Sequence, residues 1–226
     1  MTNYVERLDE ILLSSDVTEE FFKAYEAEEF RDYILGIIPE VEDCRLTPQD
    51  NPWHIYDCIH HILKSVEEIN KLSSTLPHNK RRMLSYIMFL HDLGKPECRH
   101  REFSPFHQKE VDKFKGHNIA SEKIARRVLH CLNFSSTEQE VMSRLILDHD
   151  IFISLTLDSM DEKNTLLDEV FLKKLRSEYD EISCGKEMIR YLVMIGTADN
   201  MAQNPLLTTK SLELIKTMGE MNDRLD

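Results

Sequence analysis

The sequence of 226 residues contains little glycine and proline, with 6 and 7 residues respectively. Tight hairpins depend on these two residue types, so their scarcity argues against an architecture rich in β-structure. Leu, Glu, Lys, Met and Ile are abundant instead, and these residues favour helices. We therefore expect an all-α protein, in which 41% hydrophobic residues supply a substantial core.

Long apolar runs are also missing: no apolar stretch approaches the ~18 residues that a membrane span needs. The first ten residues, MTNYVERLDE, are polar and acidic. The five cysteines are odd in number and form no C-x-x-C pair, which is typical of reduced thiols in a cytosol. The sequence thus predicts a soluble cytoplasmic protein with no membrane partner.

Basic residues are in the minority, with 28 Lys and Arg against 41 Asp and Glu and a formal charge of −13. Phosphate charges dominate binding to nucleic acid, so this balance argues against a long nucleic acid as partner. A local basic segment exists over residues 97–116, with Arg99, His100, Arg101, His107 and several lysines. It predicts either a phosphate-binding loop or an ordinary solvated loop.

Pro39, Pro48 and Pro52 punctuate the chain after its first helical segments. This region is the best candidate for a boundary. Residues 1–38 are predicted to form two or three short amphipathic helices that pack on the main body. Residues 39–226 are predicted to form the main domain, including a C-terminal helix.

The rest of the chain is predicted to be organised around residues 83–96, MLSYIMFLHDLGKP. The apolar residues of this stretch recur at helical spacing and fill most of the circumference, which predicts a buried helix. Gly94 is expected to take the left-handed conformation and end this helix. The pair His91–Asp92 would then lie in the core, where an unpaired carboxylate is costly and needs a cation, hydrogen-bond donors or a metal.

A second helix, predicted over residues 54–72, separates two adjacent histidines. Stepping ~100° per residue, His60 lies with the charged side chains and is assigned to the surface. His61 lies at the border of the core, beside His54 and Asp57.

Later helices place three more polar side chains at core positions: His117, His149 and Asp199. An acidic connection is predicted over residues 150–164. Imidazole and carboxylate together suit a divalent transition metal better than calcium, which prefers oxygen ligands alone. Each such residue alone is more often an ordinary core or surface residue, but their shared inward direction favours a metal site. The inward set is His61, His91, Asp92, His117, His149 and Asp199.

Five motifs, NPWHIYDCIHHIL, HDLGKP, KGHNIASEKIARRVL, LILDHD and GTADNMAQ, follow one another in this order. Together they resemble the HD superfamily of metal-dependent phosphohydrolases. Over residues 40–205 they resemble in particular the HD domain of bacterial tRNA nucleotidyltransferases, the CCA-adding enzymes. No counterpart of the nucleotidyltransferase head is recognisable, so CCA addition is not expected. The resemblance implies an HD-domain helical bundle with a metal site between core helices.

The resemblance also implies a ligand set for one divalent ion, which could be Mn, Fe, Co, Ni, Zn or Mg. Its members are His61, His91, Asp92 and Asp199. His117 and His149 would be available for a second metal or for the substrate phosphate. The sequence departs from the family at Asp148 and Lys113, where many relatives have histidine, and these departures bear on the second metal.

Further roles follow from the same resemblance. Asp92 would orient the attacking water or accept its proton. Lys95 would meet a phosphate oxygen or compensate the negative end of the preceding helix. His54 and Asp57 would either steer His61 by a hydrogen bond or form a salt bridge where the helix starts.

The expected function is hydrolysis of a small phosphate mono- or diester, such as a nucleotide or a cyclic phosphodiester. Two alternatives stay open: a diiron HD oxygenase, and a non-catalytic module that binds nucleotide or metal for regulation. The second alternative gains weight if the buried aspartates pair with arginines and not with a metal. The candidate arginines are Arg126, Arg144 and Arg190.

Overall fold

The computed structural model describes residues 4–105, 107–153 and 168–225. The predicted acidic connection over residues 150–164 lies outside these ranges from residue 154 onward. The first helices are α1 (Tyr4–Leu12), α2 (Val17–Tyr25), α3 (Glu28–Ile37), α4 (Glu40–Arg45), α5 (Cys58–Leu72), α6 (His78–Leu90) and α7 (Lys95–Cys98). After the strands β1 (His100–Ser104) and β2 (Lys109–Lys113) follow α8 (His117–Cys131), α9 (Ser136–Leu147), α10 (Glu169–Asp180), α11 (Gly185–Met201) and α12 (Thr209–Arg224). The described chain is predominantly helical, which confirms the predicted all-α class.

The centre of the fold is α6, which is buried around its whole circumference from Met83 to Leu90. A helix that is apolar on all sides belongs in the interior, as the sequence predicts. α6 contacts α5, α8, α9 and α11, and α11 also contacts α5. The inner faces of these five helices therefore meet in one region.

The first helices pack on this centre. The ring of Phe21 in α2 lies 5.8 Å from the ring of Phe89 in α6. Asn70 of α5 donates from Nδ2 to the carbonyl oxygen of Leu12 at 2.8 Å. The phenol of Tyr86 donates to Asp9 Oδ1 at 2.6 Å. α1 and α2 thus share one core with the later helices.

The charged segment after α7 forms an antiparallel hairpin, and the prediction of a loop is wrong there. Three of its basic side chains, Arg99, Arg101 and Lys109, have carboxylate partners. Arg99 Nε donates to Asp112 Oδ1 at 3.0 Å, and Arg101 Nη2 and Lys109 Nζ lie 3.1 and 2.8 Å from Asp50. Asp112 is buried and also accepts from the backbone N–H of Asp50 at 2.7 Å. These pairings join the hairpin to the chain before α5.

Gly94 does not adopt the predicted left-handed conformation, since its φ is −81°. α6 ends at Leu90, and Pro96 lies in the first turn of α7 instead of stopping a helix. Glycine is required at position 94 for another reason. A Cβ there would lie 2.5 Å from the Ser121 nitrogen and 2.6 Å from the His117 oxygen. The missing side chain therefore lets α8 approach the turn that follows α6.

α5 begins at Cys58, four residues later than the sequence predicts. Asp57 is its N-cap and accepts from the backbone N–H of His60 at 2.9 Å, which satisfies an otherwise free donor of the first turn. Among the helices of the described ranges, none combines the length and the apolarity that a membrane span needs.

Candidate metal centre

Four of the predicted ligands meet where α5, α11 and the turn after α6 come together. His61 Nε2 lies 3.1 Å from Asp92 Oδ2 and 2.9 Å from Asp199 Oδ1. His91 Nε2 lies 3.2 and 3.6 Å from the same two oxygens. All four side chains are buried. Two nitrogens and two oxygens thus converge on one point, which is an arrangement that can hold a metal ion.

Two further histidines face the other oxygen of Asp92. His117 is the first residue of α8, and its Nε2 lies 3.3 Å from Asp92 Oδ1. His149 follows α9, and its Nε2 lies 3.9 Å from the same oxygen and 3.2 Å from His117 Nε2. These three residues form a second group with metal-ligand spacing. Asp92 therefore lies between two adjoining groups and offers one oxygen to each.

The four histidines of the two groups all direct the same ring nitrogen, Nδ1, toward the backbone. Each Nδ1 faces a backbone carbonyl oxygen: His61 to Ala202 at 3.3 Å, His91 to Met88 at 2.6 Å, His117 to Phe114 at 2.9 Å and His149 to Ile146 at 2.7 Å. A carbonyl oxygen can only accept, so Nδ1 carries the proton and, in the neutral ring, Nε2 presents its lone pair. Metal-ligating histidines are usually held in this way.

The atoms that face one another are consequently acceptors. His61 Nε2, His91 Nε2 and Asp92 Oδ1 are buried and have no hydrogen-bond partner in the described part of the chain. Buried polar atoms without partners are costly, and acceptors that approach to about 3 Å repel unless a cation lies between them. The donor set and its orphaned atoms therefore fit a divalent ion.

A proton is the competing cation. Burial opposes a charge on His91, but the carboxylates of Asp92 and Asp199 outweigh it and raise the pKa of His91 to about 10. Burial also opposes ionisation of Asp92, yet His91 and Lys95 keep its pKa well below the usual range. A proton on His91 and a metal ion are thus alternative ways to compensate two buried carboxylates.

Lys95 lies beside Asp92, as the first residue of α7, and it is 4% exposed. Its contact with a phosphate oxygen stays a prediction. Its Nζ forms an ion pair with Asp92 Oδ2 at 2.6 Å and donates to Gln49 Oε1 at 2.8 Å. His54 Nε2 lies 3.2 Å away on another side.

The predicted hydrogen bond from His54 or Asp57 to His61 is not formed. Asp57 pairs with His60, whose Nδ1 lies 2.8 Å from Asp57 Oδ1, so this carboxylate has the helix-start role. His54 meets His61 only edge to face, with ring centroids 5.1 Å apart. Burial, together with the charge of Lys95, lowers the pKa of His54 to about 2. For Asp57 the helix-start alternative is the one that the structure shows, and His54 lies before the N-cap, where the phase of the helix does not apply.

The arginines that could have compensated the buried aspartates have other partners. These are Glu140 for Arg126 at 2.9 Å, Glu178 for Arg144 at 3.2 Å and Asp223 for Arg190 at 2.8 Å. Asp148, which replaces a histidine of the resembled family, forms an ion pair with Arg144. Asp148 also accepts from the Tyr179 hydroxyl at 2.8 Å. It therefore serves the packing of α9 against α10.

Sequence reasoning missed two residues beside the centre. Gln49 holds Lys95, as described above, and Gln203 donates from Nε2 to Asp199 Oδ1 at 3.3 Å. Gln203 lies four residues after Asp199, so helical spacing could have identified it. No local signal pointed to Gln49, because it reaches Lys95 through the tertiary fold.

The sequence matches no protein-family model and no curated protein. The chemistry of this centre must therefore be inferred from the residues that form it. Imidazole nitrogens with carboxylate oxygens are typical ligands of divalent transition metals. A carboxylate placed between two ligand groups is suited to bridging two such ions.

Proposed function

We propose that this protein is a metal-dependent phosphohydrolase of the HD superfamily, acting on a small phosphate mono- or diester such as a nucleotide or a cyclic phosphodiester. The observation that carries the proposal is the position of Asp92. One of its oxygens faces His61, His91 and Asp199, and the other faces His117 and His149. Adjoining ligand groups of this kind suit the clamp that two-metal phosphohydrolases place on a phosphoryl group.

The side chains have distinct tasks in such a reaction. A divalent ion, when bound, would lower the pKa of water and withdraw charge from a phosphoryl oxygen. Asp92 and Asp199 are ionised before the reaction and would orient the water or accept its proton. His117 has the most exposed side chain of the six, at 17%, and is therefore placed to meet a substrate first. Lys95 adds a fixed positive charge beside Asp92.

Charge supports a small substrate. The protein carries a formal charge of −13, which repels a polyanion along most of its surface. Three cations of the basic segment, Arg99, Arg101 and Lys109, are paired with Asp112 and Asp50, which reduces the positive charge that the segment offers to a polyanion. A small phosphate ester can bind at the metal centre alone and does not need a basic surface around it.

Hydrolysis of two chromogenic esters tests the proposal. Metal-stripped protein would be assayed with bis(p-nitrophenyl) phosphate and p-nitrophenyl phosphate, with and without Mn, Co, Ni or Mg. We expect metal-dependent turnover that Asp92→Asn abolishes, and the preferred ester distinguishes a diesterase from a monoesterase. Absence of turnover with every metal, in folded and metal-loaded protein, would contradict the proposal.

The same geometry favours one other reaction class. Two ligand groups that share Asp92 could also hold two irons for oxygen chemistry. Oxygen consumption by iron-loaded protein, without ester hydrolysis, would identify such an oxygenase. Metal binding with neither activity would identify a regulatory module.

A further inference from the structure

Residues 49–54, which lie between α4 and α5, also contact the candidate metal centre. Lys95 Nζ donates to Gln49 Oε1 at 2.8 Å, lies 3.2 Å from His54 Nε2 and forms its ion pair with Asp92 Oδ2 at 2.6 Å. An ammonium group has three N–H bonds. The three partners therefore account for all three N–H bonds of Lys95. Lysine side chains are usually flexible, but this one is held in one position.

The hydrogen bonds around Asn51 define the tautomer of His54. Asn51 Oδ1 accepts from the backbone N–H of Trp53 at 3.1 Å and from that of His54 at 3.2 Å. The same oxygen lies 2.8 Å from His54 Nδ1. Because an oxygen that accepts from two N–H groups cannot itself donate, the proton of the ring is on Nδ1. The lone pair on Nε2 is then available to Lys95.

This segment is anchored on both sides. The backbone of Asp50 exchanges two contacts with Asp112 of β2, at 2.7 and 2.9 Å. The carbonyl oxygen of Trp53 accepts from the backbone N–H of Asn204, just after α11, at 2.8 Å. The hairpin and the end of α11 thus fix residues 49–54, and residues 49–54 fix Lys95.

From these contacts we infer that His54 is a positioning residue, oriented by Asn51, that holds the Lys95 ammonium beside Asp92 during phosphoryl transfer. This inference rests on the proposed function, because it assigns a task to Lys95 in that reaction. A positive charge held in a buried site needs no reorganisation when negative charge develops on the phosphoryl group. His54 contributes by limiting where the charge of Lys95 can lie, and Gln49 shares this task.

The tautomer can be measured without any turnover. In ¹⁵N-labelled wild-type protein, long-range ¹H–¹⁵N correlation spectra should show the His54 proton on Nδ1, with and without Mg²⁺. Asn51→Leu removes the orienting oxygen and should give a mixture of tautomers. A proton on His54 Nε2 in the wild-type protein would overturn the inference, whether or not the protein is a hydrolase.

Kinetics test the link from His54 to Lys95. We expect His54→Phe and Lys95→Met each to lower kcat by about tenfold or more, at unchanged metal content. Both changes remove the same contact, so the double variant should be no slower than Lys95→Met alone. His54→Gln keeps an acceptor oxygen and should recover part of the rate. Ile55→Ala, at an exposed position directly after this segment, is the matched control and should keep the rate.

Two results would contradict this link. Additive losses in the double variant would show that His54 and Lys95 act separately. Loss of metal in His54→Phe would show that His54 acts only through its contact with the His61 ring. If wild-type protein hydrolyses no ester, the proposed function fails, while the tautomer measurement still decides whether His54 is set to accept from Lys95.

Discussion

His117 Nε2 lies 3.2 Å from His149 Nε2, and the Nδ1 of each ring faces a backbone carbonyl oxygen. In the neutral rings the protons are therefore on Nδ1, and the lone pairs of the two Nε2 atoms face each other. Burial lowers the pKa of His117 to about 4, so a proton on the His117 ring does not relieve this contact at neutral pH. A shared cation would relieve it, and Asp92 Oδ1 beside the two rings would then be the third ligand.

This contact predicts a second metal ion. His149→Gln should lower the metal content of Mn-loaded protein by about one ion per chain and leave the group around His61 loaded. Metal analysis after gel filtration measures this content. His130→Gln, at an exposed position of α8, is the control. Equal metal content in His149→Gln and wild-type protein would contradict the assignment of a second ion.

Metal binding should stabilise the fold. A ligand that binds only the folded state at 100 times its Kd adds about 2.7 kcal/mol to the free energy of unfolding. For a protein of this size that corresponds to a rise in Tm of about 5–10 °C. Thermal unfolding with Mn²⁺ and with a chelator measures the difference. In Asp92→Asn the rise should largely disappear, and a full rise in that variant would show that the ion binds elsewhere.

Gly94→Ala should destabilise the protein by about 1–3 kcal/mol, because the added methyl group would force α8 away from the turn after α6. The displaced backbone includes His117, so metal affinity should fall as well. Gly36→Ala is the matched control: it lies in α3, and a Cβ there meets nothing within 4 Å. It should stabilise the protein by up to ~1 kcal/mol, since alanine favours helix. Urea unfolding compares the two, and equal effects would contradict the close packing inferred at Gly94.

Tyr179→Phe should lower the stability of the protein without changing its metal content. It removes the hydrogen bond to Asp148 at 2.8 Å, which typically costs about 1 kcal/mol. Asp148 belongs to the contact between α9 and α10, so the metal content should not change. A loss of metal in Tyr179→Phe would instead link Asp148 to the centre.

The sequence predicted the class of fold and the inward set of six residues. Helical periodicity explains this for His61, His117 and Asp199, which lie in helices, whereas His91, Asp92 and His149 lie just after the ends of α6 and α9. The prediction failed where tertiary contacts decide. Asp57 caps α5, so the helical phase does not extend back to His54. Gly94 is set by the approach of α8, which no local pattern reveals. The hairpin depends on the buried Asp112, whose partners include residues on a distant segment.

The adjacent histidines of α5 give the most direct test of the account. His61 is buried with its Nε2 between Asp92 and Asp199, whereas the side chain of His60 is 42% exposed and pairs with Asp57. Metal content and hydrolysis of bis(p-nitrophenyl) phosphate would be measured for His61→Gln, His60→Gln and wild-type protein under identical metal loading. The account predicts that His61→Gln loses both metal and turnover, and that His60→Gln retains both. Equal metal content and equal turnover in all three proteins would contradict a metal centre at this site.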